Sequence, residues 1–122
     1  MKLVKYVAAV ILAATVSSAY PHGQPKAQHG GVVASANDLS FELVPQGTQT
    51  ALYVFDHDRP IEVQAFSGKL TVLAGTTKTA AELKPVGANR LEAQLVVPKG
   101  AKVVATLNAN DRAPMTVRFT VK

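Results

Sequence analysis

From residue 29 to the C-terminus, apolar and polar residues alternate with a period of two. Leu39, Phe41 and Leu43 alternate with Ser40 and Glu42, and Ile61, Val63 and Ala65 with Glu62 and Gln64. Leu91, Ala93, Leu95 and Val97 alternate with Arg90, Glu92 and Gln94. Met115, Val117, Phe119 and Val121 alternate with Thr116, Arg118 and Thr120. Successive side chains of a strand point to opposite faces, so each segment has one apolar and one polar face, as a half-buried antiparallel strand requires. Met115 falls on the apolar face of the last segment, where it reads as core packing. Residues 52–55, 70–74, 80–84 and 102–107 alternate less cleanly but are together rich in valine, leucine and threonine. Turn signals separate these runs: Pro45-Gln46-Gly47, Ser67-Gly68, Pro85-Val86-Gly87, Pro98-Lys99-Gly100 and Asn110 to Pro114. About eight short, evenly spaced strands predict an all-β fold, an antiparallel β-sandwich of immunoglobulin-like type, with a small barrel as the alternative. No segment reads as a convincing helix; Thr79 to Leu83 comes nearest.

The first residues break the pattern. Two lysines within Met1 to Lys5 precede an apolar run, Tyr6 to Val16, that is too short to span a membrane. Ser17-Ser18-Ala19 then supplies the small residues a signal peptidase reads. Residues 1–19 are therefore expected to be a cleaved signal peptide, with no membrane anchor left afterwards. Residues 20–28, YPHGQPKAQ, read as a flexible N-terminal arm, and 29–122 as one β-domain. The chain has no cysteine, which excludes disulfides, thiolate metal sites and cysteine nucleophiles. Two of the thirteen basic residues lie in the leader, leaving eleven against eight acidic ones, a net charge of +3. The cations are scattered and not interleaved with aromatics, so a nucleic-acid footprint is not expected.

Enzyme signatures are scarce. There is no glycine-rich phosphate loop, no G-x-S-x-G elbow and no H-E-x-x-H helix. No pair of carboxylates is marked out as general acid and base. The domain reads as non-catalytic.

The three histidines carry more information. Imidazole is the commonest ligand for zinc, copper and nickel, and carboxylates can complete such sites. His57 lies between Asp56 and Asp58 in FDHDRP. In an extended chain the aspartates and the imidazole point to opposite sides. They could face one ion only if the segment turns. The competing reading is a polar hairpin turn with an exposed histidine. His29 heads the stretch HGGVV. It is either a ligand beside glycines that let backbone pass close, or the end of a loose tail before a flexible hinge. His22 would be the third residue after cleavage. Pro21 has no N–H to lose, so it blocks a four-nitrogen copper or nickel chelate there. This leaves His22 as an optional ligand. Simple up-and-down strands would put His29 and the Asp56–Asp58 turn at opposite ends, roughly 17–20 Å apart. A different strand count, or an arm folded along the sandwich, would change that.

Several segments carry a resemblance: HGGVV, DLSFELV, LYVFDHDRPIEV, LTVLAG, ELKPVGANRLEAQL, AKVVATL and TVRFTV. Together they resemble small exported proteins encoded beside heavy-metal efflux systems in Gram-negative bacteria. They are also similar to the N-terminal module of some periplasmic adaptor subunits of RND metal-efflux pumps. The resemblance covers about residues 29–121. It implies a periplasmic β-sandwich tied to metal homeostasis. By position, His29 matches that family's opening histidine, and Asp56 and Asp58 its acidic turn. Here Arg59 replaces a glycine frequent in the family, and His57 stands between the acids. The expectation is a periplasmic protein binding a divalent ion, copper or zinc, through His29, His57, Asp56 or Asp58, with His22 optional. The alternative is an interaction module docking onto an efflux adaptor or another envelope protein.

Overall fold

A computed structural model describes residues 25–122; the expected signal peptide, its cleavage site, His22 and the first part of the arm fall outside the described residues. The described chain is all-β and antiparallel, with no helix among its residues. The strands are β1 (Val32–Ala36), β2 (Leu39–Gln46), β3 (Gln49–Asp56), the two-residue β4 (Arg59–Pro60), β5 (Phe66–Ala74), β6 (Thr77–Gly87), β7 (Arg90–Ala93), β8 (Lys102–Ala109) and β9 (Arg112–Thr120). Hydrogen-bonded neighbours run β1-β2-β3-β7-β6-β5-β8-β9, with β4 added to β3.

The path is continuous because β6 serves both halves. Up to Leu83 it pairs with β5; Lys84 to Gly87 pair with β7 across a shift in register. At the other end β1 packs against β9 without a ladder between them. The result is a nearly closed barrel rather than the immunoglobulin-like sandwich expected from strand spacing. Period-two alternation is common to both architectures. What separates them is one long strand bending from one sheet into the next, and alternation does not encode that.

The interior is filled by the predicted apolar positions. Phe41, Leu43, Leu52, Val54, Leu70, Val72, Leu91, Leu107, Met115, Val117 and Phe119 are all buried. Thr79 to Leu83 lies within β6. Two expected strands are corrected. Residues 61–65 form no ladder: Ile61 N donates to Val54 O, Val63 N to Ala88 O, and a turn at 64–65 leads into β5. This segment is the crossover between halves, and its alternation reflects the burial of Val63 and the partial burial of Ile61 against the core, while Ala65 is exposed. The strand expected over 91–97 stops at Ala93, after which the buried Thr50 hydroxyl donates to Leu95 O at 2.8 Å. Ser67-Gly68, read as a turn, lies inside β5. A Cβ on Gly68 would stand 2.3 Å from Thr106 O, so this glycine permits close strand approach rather than a turn.

Candidate functional site

The polar face of β2 and β3 is not simply solvated. Glu42 alternates with core residues and so points outward, yet it is 1% exposed. It is covered by the chain preceding β1. Its carboxylate accepts hydrogen bonds from the backbone N–H groups of Gln28 (2.9 Å), His29 (2.8 Å) and Gly31 (2.7 Å). Converging backbone amides form an anion nest, here filled by the protein's own carboxylate. Bonds to an ionised acceptor are about twice as strong as neutral ones.

The two glycines make this return possible. Gly30 has φ +77°, where a side chain would be strained. At Gly31 a Cβ would stand 2.2 Å from Leu43 O and 2.8 Å from the Val44 side chain. The segment is therefore a strap laid on the barrel, and His29 is held by its backbone.

The strap places His29 over β3. Its ring stacks on Tyr53, with centroids 3.8 Å apart and planes 13° from parallel, and lies 6.4 Å from the Phe55 ring. The register sets Val33, Glu42, Tyr53 and Arg90 in one row across β1, β2, β3 and β7. The Arg90 guanidinium lies 5.7 Å from the Tyr53 centroid. It also donates to Glu92, and to Gln46 Oε1 at 3.1 Å. Next to it, the Asn89 side-chain amide donates to Val54 O at 3.0 Å. Segments far apart in sequence, HGG, FELV, LYV and GANRL, thus meet on one patch. Sequence reading passed over Glu42, Tyr53, Arg90 and Glu92. An acid between two core positions, with its partner strand carrying tyrosine, was the only signal available.

The acidic turn is separate from this patch. His57 and Asp58 are the two central residues of the β3–β4 hairpin, at φ +54° and +72°, the backbone signature of a type I′ turn. Asparagine, aspartate and histidine tolerate this region better than most side chains. The His57 side chain is 85% exposed, and its Nδ1 lies 2.7 Å from Asp56 Oδ1. Asp58 is exposed in the same turn. Tyr53, beneath His29, precedes Asp56 by three residues on one strand, about 10 Å.

The structure therefore brings His57 and Asp56 together, keeps Asp58 in the same turn, and sets His29 elsewhere on the face. No group of three or more histidine, aspartate or glutamate side chains placed to hold a metal ion occurs among the described residues. Asp56 and His57 fit the start of an ion site: an imidazole and a carboxylate, adjacent and open to solvent. Compared with known protein families, with curated proteins and with solved structures, the chain shows no match.

Proposed function

We propose that the protein is a non-catalytic, exported carrier of a divalent ion, copper or zinc, associated with metal efflux, and that it takes the ion at the Asp56-His57-Asp58 turn. The observation that carries this reading is the exposed His57–Asp56 pair on a tight hairpin. One imidazole and one or two carboxylates leave most of an ion's coordination positions open. Such a site exchanges its ion readily, which suits delivery rather than storage. His29 lies outside this set and acts as a separate, weaker imidazole, with His22 available from the arm. Titration of the mature protein with zinc(II) and copper(II), followed through histidine NMR signals, tests the reading. The His57 signals shift first, and His57→Ala removes that response while leaving any His29 response intact. If no histidine responds at micromolar metal, the proposal fails.

A second reading is docking onto an efflux adaptor or another envelope protein. It is favoured by large apolar side chains left on the surface, Leu73, Val86 and Val96, which are 43–56% exposed.

A further inference from the structure

The charges are unevenly divided between the two halves of the barrel. On β2, β3, β4 and β7 the acids Glu42, Asp56 and Glu92 are accompanied by Arg59 and Arg90, and Arg90 is paired with Glu92. On the opposite side, β5, β6, β8 and β9 turn Lys69, Lys78, Lys102 and Arg118 outward. The one carboxylate among the outward positions there is Glu82, which is 3.8 Å from Lys84. The ladders set Lys78 opposite Leu73 and Leu73 opposite Lys102, while Val104 stands opposite both Thr71 and Arg118. Lys78 and Lys102 are thus two strand spacings apart, about 10 Å. Neither they nor Arg118 have an ion-pair partner among the described residues.

These three cations also line one groove, of about 660 Å³, together with Leu73, Thr71 and Val104. Leu73 is 43% exposed there. A groove with a largely apolar floor and cations from three strands on its rim asks for an anionic occupant with some apolar surface. Cations set about 10 Å apart across β6, β5 and β8 suit an occupant with acidic groups spread along its length, as in an extended chain, rather than a compact anion.

We propose that this groove is a docking site for an extended acidic polypeptide segment of a partner protein, with acidic side chains reaching Lys78, Lys102 and Arg118 and an apolar side chain resting on Leu73 and Val104. This deepens the docking reading above and is independent of the metal-carrier reading. Opposite charge at the rim accelerates encounter, makes binding salt-dependent and selects the partner.

The test uses a synthetic peptide in which a leucine is flanked by glutamates, titrated into the isotope-labelled mature protein. Amide shifts are expected to cluster on β5, β8 and β9. Binding should weaken about tenfold or more in the K78E/K102E/R118E variant, consistent with the loss of three rim charges. It should also weaken as salt rises, and disappear for the same peptide with glutamines. The variant's unperturbed amide spectrum elsewhere establishes that it is folded. The proposal is overturned by equal binding of the glutamine peptide, by shifts confined to the Tyr53 face, or by binding to anionic vesicles in preference to the peptide. A partner captured from the envelope that binds wild type and K78E/K102E/R118E alike would sink this groove but leave the docking reading standing.

Discussion

Glu42 has the structural role that its place in the sequence conceals. Between Phe41 and Leu43 it reads as the solvent-facing residue of a half-buried strand. It is nearly inaccessible because the strap lies over it. Changing Glu42→Gln replaces one acceptor oxygen with a donor facing other donors. This should destabilise the strap by about 1.5–3 kcal/mol, the range for bonds to charged groups. Amide hydrogen exchange at Gln28, His29 and Gly31 should accelerate while the barrel core stays protected. Unchanged exchange would show that these bonds do not hold the strap. Gly31→Ala should do as much damage by another route, since its Cβ would enter the space of Leu43 O. We expect a loss of about 2 kcal/mol or more, as for overpacking, measured by denaturant unfolding. Gly30 is different: nothing lies within 4 Å of its Cβ position, so Gly30→Ala should cost only the positive-φ strain, about 1–2 kcal/mol.

At the scale of elements, the hairpin turn is where stability and the proposed ligand role can be told apart. His57 and Asp58 occupy positions where Asn-Gly is the preferred pair. Replacing them by Asn-Gly should stabilise the protein by about 0.5–1 kcal/mol, read as a higher Tm. The same change should abolish the metal response of the turn. A turn kept in spite of its local strain is what a ligand role would require; a loss of stability on replacement would argue that His57 is there for the fold. The two misread strands belong to this scale as well. Residues 61–65 and 94–97 alternate as strands do, but each crosses from one half of the barrel to the other. They make isolated hydrogen bonds, Ile61 N and Val63 N donating to single carbonyl oxygens and Leu95 O accepting from the Thr50 hydroxyl, and no ladder. A period records which side chains are buried, not whether a ladder partner is present.

For the whole molecule, stability rests on a single core, because no cysteine is present to cross-link it. Phe41 is completely buried within it. Phe41→Ala should therefore cost about 3–5 kcal/mol, enough to unfold a marginal domain, as thermal melting would reveal. Most pairings are hairpins, yet β3–β7, β5–β8 and the β1–β9 closure join distant segments. Such non-local contacts place folding in the millisecond-to-second range, which stopped-flow refolding would check. Lys78, Lys102 and Arg118, unpaired among the described residues, all stand on β6, β8 and β9, whereas Arg90 on β7 is paired with Glu92. The acidic turn proposed as an ion site and the proposed docking groove lie on different strands, β3–β4 and β5, β6, β8 and β9, so each can be altered without the other.

By itself the sequence determined the strand content, most of the core and the polar turns, because alternation and turn chemistry are local. It also marked His57 and its flanking aspartates as neighbours. Only the tertiary structure decided that β6 would join both halves into a nearly closed barrel. Only it could lay the HGG strap on Glu42, since the amides and their acceptor are 11 to 14 residues apart and join through the fold. His29 was available as a ligand on sequence grounds. Its stacking on Tyr53, away from the acidic turn, was fixed by the path the two glycines allow.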